Sequence, residues 1–410
     1  MRLMVYSHDT FGLGNIRRML AICTHLHATI PNLSVLIVSG SPMLHSFRVL
    51  PGIDYIKLPC LKRTEEGDLG VRFLDLEVEQ VVRLRRELIL STVVSFEPDV
   101  VLVDKRPDGL AKELEPSLRD IKCNLPRTRT LLVLRDILDA PEVTAAEWVK
   151  RGYQNVVQWY YDGVLVLGEQ RIFDVCAEYR FSRTLCRKVR YCGYVGRRNP
   201  PARERAAVRA ELGVAERENL VLVTAGGGED GYALMSTFVQ TAEELRRRFS
   251  ARSLMVAGPE LAPARAGALR EAAQRQGGIQ VIEFTDDMMS YMNAADVVVS
   301  MAGYNTICEL LTLHKRAVLV PRVRPVQEQK IRAERMAELS AFHMIHPDHL
   351  SPRALGKAIG DEIGALRMGA GAPAVVDLNA LPRVTEILSR VDIPEACGTV
   401  IPTTEPLWAA

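Results

Sequence analysis

The chain has 410 residues, of which 48% are apolar and 25% charged, and its formal net charge is +2. These globular values exclude a disordered chain, the length favours two domains over one core, and the small net charge gives no indication of a nucleic-acid partner. The eight cysteines never form a C-x-x-C pair, which favours reduced, mostly buried thiols over a disulfide framework or a zinc site.

The first half of the chain alternates apolar runs with helical periodicity. Strands are predicted at Arg2–Tyr6, Val35–Val38, Tyr55–Leu58, Val100–Val103, Thr130–Leu134 and Val164–Leu167. Helices are predicted from about Ile16 and at Phe73–Phe96, Gly109–Ile121, Pro141–Trp159 and Gln170–Tyr179. The polar segment Cys60–Gly70 shows neither strand nor helix periodicity and is predicted to be a loop. Such alternation favours a parallel sheet covered by helices on both faces.

The segment Gly193–Ala202 combines glycines, two prolines and charge. It is the predicted linker (193–202) between one domain of residues 1–192 and a second of residues 203–380. In the second domain, strands are predicted at Leu220–Thr224, Leu254–Ala257, Gln280–Phe284, Val297–Ser300 and Ala317–Val320, and late helices at Pro352–Leu366 and Leu381–Val391. The expected fold is therefore α/β, with two doubly wound, Rossmann-like domains.

The stretch Val297–Gln329 carries the strongest indication of a ligand site. Its apolar strand ends at the small residues Ala302 and Gly303, which let another molecule approach the backbone. Asn305 is predicted to cap the following helix, whose free N–H groups and positive end would face an anion. Glu309, one turn further on, has the chemistry to accept hydrogen bonds from a ribose diol, although a first-turn carboxylate favours any helix. By themselves these features indicate only a ligand at the carboxyl end of a parallel strand.

In its full context this stretch resembles the donor site of GT-B glycosyltransferases of the family-28 type, the group of MurG and the monogalactosyldiacylglycerol synthases. The pattern in that family is S-G-x-x-T-x-x-E followed by a glutamine-rich loop. It is matched here by Gly303, Thr306, Glu309, Gln327 and Gln329, whereas Ala302 stands where the family often has serine.

The resemblance implies two domains that face each other across a cleft, with the nucleotide sugar held mainly by the second. It implies that Glu309 binds the ribose and that Gln327 and Gln329 bind hydroxyls of the sugar. It also implies that the C-terminal helix and tail, residues 381–410, cross back to the first domain.

A glycine-rich loop, Gly226-Gly227-Gly228-Glu229-Asp230-Gly231, matches G-x-G-x-x-G between a predicted strand and a predicted helix. A dinucleotide site would place an acidic residue at the end of the next strand, but Glu260 lies beyond a proline there, so this interpretation is weak. Four glycines in six residues favour close approach of a ligand over a plain turn between strand and helix. The family resemblance implies that Gly226, Gly227 and Gly228 approach the donor phosphates.

A third segment, Glu283–Met289, resembles the E-F-x-D-D-M run of the family, in which backbone atoms pair with uracil. This implies donor contacts at Phe284 and Met288. The neighbouring pair Asp286 and Asp287 favours helix capping over metal binding.

The loop Ser7–Asn15 resembles the N-terminal glycine-rich loops of the family, which implies donor contacts at Gly14 and Asn15. Asn15 stands where the family has histidine, and an amide cannot take a proton from an acceptor hydroxyl. The candidate bases are therefore Asp9 and His8. Each has a plain structural alternative, loop capping for Asp9 and a hydrogen-bonded strand end for His8.

Two arginines, Arg17 and Arg18, open the first predicted helix, where positive charge is unfavourable. Either a bound anion offsets this charge or the two side chains are solvated. Both interpretations stay open at this point.

The sequence thus predicts an inverting hexosyltransferase that moves a sugar from a UDP-sugar to a hydroxyl of a small-molecule, lipid or glycan acceptor, without a metal or other cofactor. Two alternatives remain. One is a UDP-sugar hydrolase or 2-epimerase, because residues 12–18 resemble the G-x-G-H-x-x-R of such a hydrolase. The other is an inactive nucleotide-sugar-binding protein. Without a signal peptide or a run of ~20 apolar residues, the expected location is the cytoplasm, with peripheral contact at the inner face of the membrane left open.

Overall fold

The computed structural model describes residues 1–8, 14–42, 44, 50–64, 68–196, 203–368 and 376–389. Its strands are β1 (Arg2–Ser7), β2 (Ser34–Ser39), β3 (Ile53–Lys57), β4 (Leu61–Arg63), β5 (Leu69–Val71), β6 (Val100–Asp104), β7 (Arg129–Arg135), β8 (Gly163–Leu167), β9 (Val189–Tyr191), β10 (Asn219–Thr224), β11 (Ala251–Val256), β12 (Ile279–Ile282), β13 (Val297–Ser300), β14 (Arg316–Leu319) and β15 (His343–Met344). Its helices are α1 (Gly14–Thr29), α2 (Val78–Phe96), α3 (Glu115–Asn124), α4 (Pro141–Lys150), α5 (Tyr153–Tyr160), α6 (Val175–Glu178), α7 (Arg183–Cys186), α8 (Arg205–Glu211), α9 (Tyr232–Phe249), α10 (Pro263–Gln276), α11 (Met288–Ala294), α12 (Tyr304–Thr312), α13 (Glu328–Glu338), α14 (Pro352–Arg367) and α15 (Ala380–Ser389).

The first sheet has seven strands in the order β3-β2-β1-β6-β7-β8-β9, and all neighbouring strands are parallel. Its central strands are buried nearly end to end, as expected for apolar runs covered by helices on both faces. The strand order reverses between β1 and β6. In open α/β sheets this switch point, at the carboxyl ends of the strands, is where ligands bind.

The second sheet has six parallel strands in the order β12-β11-β10-β13-β14-β15. Its order reverses between β10 and β13, whose carboxyl ends carry the glycine-rich loop and the start of α12. The prediction of two doubly wound α/β units is therefore confirmed. The exact domain boundaries stay a prediction, because residues 197–202 of the predicted linker lie outside the described residues.

Several helices in the first half differ from the predicted bounds. Helix α2 begins at Val78 and not at Phe73, because Glu77 and Gln80 form a capping box that starts it there. The predicted helix Pro141–Trp159 is two helices, α4 and α5, because Gly152 between them has a φ of +66°. Residues 170–179 contain only the single turn α6. The predicted loop Cys60–Gly70 includes a short antiparallel hairpin of β4 and β5.

The C-terminal part of the described chain lies against the first half. The backbone N–H of Tyr194 donates to the carbonyl of Asp377 at 2.7 Å. The hydroxyls of Thr29 on α1 and Thr385 on α15 are 3.5 Å apart. Helix α15 thus packs beside α1, while the predicted tail beyond residue 389 lies outside the described residues.

Candidate functional site

The carboxyl edges of the two sheets face each other, and contacts between named side chains join them. Asn305 on α12 donates from Nδ2 to the carbonyl oxygen of Gly14 at the start of α1, at 3.0 Å. Arg332 on α13 donates from Nε and Nη2 to the two carboxylate oxygens of Asp136, just after β7, each at 2.7 Å. The ends of β13 and β14 therefore lie opposite the ends of β1 and β7. We call the space between these edges the cleft.

Helix α12 begins at the cleft, as expected for the centre of the predicted donor site. Its N-cap is Gly303, with φ −64° and ψ 142°. The prediction that Asn305 is the cap is wrong, because Asn305 lies within the first turn and its amide reaches Gly14. Ala302 is buried and lacks the hydroxyl of the serine that the family often has at this position. Its carbonyl oxygen accepts from Nη1 of Arg332 at 2.8 Å. Thr306 lies close by, its hydroxyl 3.9 Å from where a Cβ on Gly303 would be.

Glu309, the carboxylate predicted to bind ribose, is only 3% exposed. Arg17 on α1 approaches it from the other edge of the cleft, with Nη2 3.8 Å from Oε1. This is the distance of an ion pair and not of a hydrogen bond. Arg17 is 37% exposed, so a diol that binds Glu309 would have to share or displace a solvent-accessible side chain.

The other arginine of this pair, Arg18, is buried and donates to Asp104 Oδ1 at 2.8 Å. Carboxylates of the protein itself therefore face both arginines at the start of α1. Solvation therefore does not account for the buried Arg18, whereas both interpretations offered from sequence, a bound anion and solvation, stay open for the partly exposed Arg17.

Gln327 and Gln329, predicted to hold sugar hydroxyls, lie at the start of α13. Gln327 is the N-cap, and its backbone N–H donates to Asp139 Oδ1 of the first half at 2.8 Å. The side-chain oxygen of Gln329 accepts from the backbone N–H of Arg322 at 3.1 Å, which ties α13 to the loop after β14. The structure thus brings both glutamines to the same edge as Gly303 and Glu309.

The glycine-rich loop after β10 is held against the loop that follows β11. A Cβ on Gly227 would overlap Glu260 Oε2, and one on Gly228 would overlap the carbonyl oxygen of Ala257. A Cβ on Gly231 would overlap the Cβ of Ala225. Packing within the protein therefore accounts for three of the four glycines. Gly226, at φ +69°, is different, because no atom of the described residues lies within 4 Å of the place its Cβ would take, which leaves room for a ligand.

The segment predicted to face the base lies between β12 and α11. Phe284 is 57% exposed, and Met288 is the first residue of α11. Asp287 occupies the N-cap position without a side-chain capping bond, because its Oδ2 accepts from Nε of Arg203 at 2.7 Å. Asp287 therefore stands at the predicted N-cap position but makes no capping hydrogen bond with its side chain.

His8 directly follows β1 at the switch point of the first sheet and is buried. Its Nδ1 lies 3.2 Å from the carbonyl oxygen of Asp104. Because a carbonyl only accepts, the neutral ring carries its proton on Nδ1 and the lone pair on Nε2. Burial lowers the pKa of His8 well below its usual value, and the charges of Lys105 and Arg106 lower it further.

Two further predicted residues belong to the same loop. The side-chain oxygen of Asn15 accepts from Nη2 of Arg18 at 3.1 Å, so this residue positions an arginine of the cleft. Asp9, the other candidate base, lies outside the described residues, and its role stays a prediction.

A buried charge network in the cleft was not predicted from sequence. Arg332 is fully buried, and although burial opposes it, Asp136 raises the pKa of its guanidinium. Arg135 forms an ion pair with Glu328 across the cleft, with Nη2 2.6 Å from Oε2. Burial opposes ionisation of Glu328 as well, but the charges of Arg135 and Arg332 lower the pKa of this carboxyl. A sequence signal did exist, because charged residues directly after buried strands meet at one edge of a parallel sheet.

The aromatic ring of Tyr304 completes the contact between the two halves. The guanidinium carbons of Arg18 and Arg332 each lie 5.7 Å from its centroid. Its ring stacks on Tyr194 at 5.8 Å, and the Tyr194 hydroxyl donates to Asp136 Oδ2 at 3.1 Å. Cation–π contacts of this kind contribute more when desolvated, as they are here.

Among the described residues, no group of three or more histidine, cysteine, aspartate or glutamate side chains is placed to hold a metal ion. In the same part of the chain, no helix combines the length and apolar character needed to cross a bilayer.

Comparison with known proteins identifies the second half. Residues 222–364 match the sequence model described as the glycosyltransferase family 28 C-terminal domain. This part of the chain is similar to that C-terminal domain. It includes the second switch point, with the glycine-rich loop, Gly303, Glu309 and the two glutamines.

Relatives of known sequence match the chain over somewhat less than half of its length. The UDP-N-acetylglucosamine–N-acetylmuramyl-(pentapeptide) pyrophosphoryl-undecaprenol N-acetylglucosamine transferase of Haemophilus influenzae is 24% identical over 191 residues, which are 44% of this chain and 51% of that protein. An uncharacterised glycosyltransferase of Methanopyrus kandleri is 25% identical over 162 residues, which are 39% of this chain and 42% of that protein. The chain thus spans about half the length of these relatives.

Solved structures match nearly the whole chain. MurG of Acinetobacter baumannii has a TM-score of 0.59 at 15% identity and covers 95% of this chain and 99% of its own. A putative UDP-N-acetylglucosamine 2-epimerase of Listeria monocytogenes has a TM-score of 0.63 at 14% identity and covers 95% of each. At such identities the likeness shows the fold alone, which is the GT-B arrangement.

Proposed function

We propose that this protein is an inverting glycosyltransferase that moves a sugar from a nucleotide diphosphate, with UDP the favoured nucleotide, to the hydroxyl of an acceptor. One observation carries the proposal. The family-28 domain presents Gly303, Thr306, Glu309, Gln327 and Gln329 along one carboxyl edge, and that edge faces the first domain across the cleft.

The donor would be bound mainly by the second domain. The N-terminal end of α12, capped at Gly303, favours the diphosphate because free N–H groups and the helix dipole both attract an anion. Gly226 leaves open space for the same group on the neighbouring loop. Glu309 would accept from the ribose hydroxyls, and Arg17 would then turn from Glu309 toward the phosphates. The exposed ring of Phe284 lies beside the backbone proposed to read the base.

The acceptor hydroxyl would be activated at the end of β1. His8 has its lone pair on Nε2 in the neutral form, so it can take a proton from a hydroxyl placed within hydrogen-bond distance. Its lowered pKa keeps it neutral at physiological pH but makes it a weak base. Asp9 shares this role as a candidate. The hydroxyl attacks C1 of the sugar, the C1–O bond to the diphosphate breaks, and the nucleotide leaves with its negative charge near α12.

No metal is needed in this scheme, because the start of α12 and the arginines of the cleft would neutralise the leaving diphosphate. The acceptor is proposed to be a small molecule, a lipid or a glycan.

The donor is tested by calorimetric titration of the full chain with UDP, GDP and dTDP. We expect UDP to bind most tightly, and the Glu309→Gln variant to bind it about tenfold more weakly, since a charge-assisted hydrogen bond contributes ~1.5–3 kcal/mol. Glu338→Gln is the matched control, because Glu338 is an exposed glutamate at the end of α13. Equal affinities in both variants, or no binding of any nucleotide, would contradict the donor site.

The reaction is tested by incubating the protein with UDP-sugars in the absence of any acceptor. The proposal predicts slow release of UDP that accelerates when an acceptor is added. Rapid turnover of the donor alone would instead support a hydrolase or a 2-epimerase, and a putative 2-epimerase has this fold. Tight UDP binding without turnover in an acceptor screen would support a binding protein.

A further inference from the structure

The floor of the cleft on the first domain is formed by charged residues at the ends of three adjacent strands. His8 directly follows β1, Asp104 ends β6 and Lys105 follows it, and Arg135 ends β7 and Asp136 follows it. Lys105 and His8 therefore stand on the two sides of the switch point, where open α/β sheets bind ligands.

The arginines around this floor each have a carboxylate partner. Arg18 contacts Asp104 at 2.8 Å, Arg135 contacts Glu328 at 2.6 Å and Arg332 contacts Asp136 at 2.7 Å. Lys105 differs, because no carboxylate of the described residues lies within 4.0 Å of its ammonium group. The two carboxylates that attract it from further away, Asp104 and Glu328, are already held by Arg18 and Arg135.

The surroundings of Lys105 are unfavourable for an unpaired cation. Its side chain is mostly buried, and the charges of Arg135 and Arg106 both disfavour its protonated form. Burial, and after it the charge of Arg135, lower the pKa of Lys105 to about 8 against the attraction of Glu328. An anion in the cleft would stabilise this ammonium group.

The backbone at Lys105 is also strained. Its φ is +66°, and the N–H of Arg106 donates to the carbonyl of Asp104 at 2.7 Å. A three-residue turn with a positive φ at its centre is the rare form of the γ-turn. Left-handed conformations of residues other than glycine concentrate at functional sites, where the surrounding fold maintains them.

We propose that Lys105 binds a phosphate or carboxylate group of a substrate at the switch point of the first domain. The origin of that group rests on the proposed function, since it belongs either to the donor diphosphate or to an acidic acceptor. The same ammonium would in either case place the anion beside His8, the candidate base.

The test uses calorimetry on the full chain with two probes, inorganic pyrophosphate and UDP. Lys105→Met removes the charge, and Lys105→Arg retains it. Lys112→Met is the matched control, because Lys112 also has a positive φ, of +59°, but lies on the surface beside Glu115. We expect Lys105→Met to weaken pyrophosphate binding about tenfold or more, and Lys105→Arg and Lys112→Met to stay near wild type.

The second probe separates the two sources of the anion. If UDP binding weakens in Lys105→Met as pyrophosphate binding does, the anion is the donor diphosphate. If UDP affinity is unchanged, while pyrophosphate binding to the UDP-saturated protein is lost, the anion belongs to the acceptor. Because the pyrophosphate titration needs no nucleotide, it still tests Lys105 if UDP does not bind at all.

A stability measurement distinguishes this role from a structural one. Glycine adopts the positive φ without strain, so Lys105→Gly should raise the melting temperature by about 2 °C while it abolishes pyrophosphate binding. The proposal is overturned if Lys105→Met binds both probes as Lys112→Met does. It is also overturned if Lys105→Gly lowers the melting temperature and keeps pyrophosphate affinity.

Discussion

The two sheets have closely similar strand orders but present different chemistry at their carboxyl edges. The second edge offers backbone groups, at the start of α12 and in the glycine-rich loop. The first edge offers ionisable side chains, among them His8, Lys105 and Asp136. A site made of backbone groups and small residues has a recognisable sequence pattern and suits one kind of ligand. In a site made of side chains, the ligand that is bound can change with each substitution. This contrast fits a fixed nucleotide donor on one side and a more variable acceptor on the other.

The ion pair of Arg332 and Asp136 is the strongest link between the two edges. Its removal should therefore have the largest effect on how the two edges are held together. Both side chains are buried, and removal of one partner leaves an uncompensated charge. We expect Arg332→Met to lower the free energy of unfolding by about 3–5 kcal/mol. Urea denaturation measures this loss.

The control for that experiment lies one turn further along the same helix. Arg335 is 38% exposed in its pairs with Glu178 and Glu338, so Arg335→Met should cost no more than about 1 kcal/mol. If Arg332→Met and Arg335→Met lower the free energy of unfolding by similar amounts, the buried pair of Arg332 and Asp136 does not hold the two edges together.

In the glycine-rich loop of the second edge, substitutions can separate the glycines needed for packing from the one with open space beside it. A Cβ at Gly228 would overlap the carbonyl oxygen of Ala257, and φ is +98° there. Gly228→Ala should therefore lower stability by about 2–3 kcal/mol, and Gly226→Ala, which has open space at φ +69°, by only about 1 kcal/mol. Thermal unfolding without ligand measures both. The reverse order would show that Gly228 is not needed for packing.

In the first domain, a smaller effect on stability, dependent on pH, is expected at Asp108. This carboxylate is buried, and among the described residues neither of its oxygens meets a hydrogen-bond donor in good geometry. Burial, and after it the charge of Glu115, raise its pKa to about 6. Since the folded-state pKa exceeds the ordinary value of 3.8, the favourable contribution is complete below pH 4 and is lost as pH rises through about 6.

Asp108→Asn should accordingly remove this pH dependence and make the protein more stable than wild type at pH 7.5, by about 1–2 kcal/mol. Denaturation from pH 4 to 8 measures the slope. Asp120→Asn on the neighbouring helix α3 serves as the control and should leave the slope unchanged. A wild-type protein whose stability rises between pH 4 and 6 beyond the control would contradict the assignment to Asp108.

The sequence predicted the strands of both sheets well, because fully buried parallel strands are apolar runs such as Val297–Val299. It predicted less well where a single residue ends a helix, as Gly152 does between α4 and α5. The cap at Gly303 was missed because Asn305 has the better capping side chain, yet that side chain contacts Gly14 across the cleft. The cleft network was missed because its partners, such as Asp136 and Arg332, lie 196 residues apart in the chain.

The most direct test of the account is a crystal structure of the full chain with UDP. The account predicts density for the diphosphate at the start of α12 beside Gly303, the ribose on Glu309, and Arg17 turned away from that carboxylate. A structure in which Arg17 stays on Glu309 and the space beside Gly303 holds no nucleotide, at UDP concentrations that saturate related transferases, would contradict it.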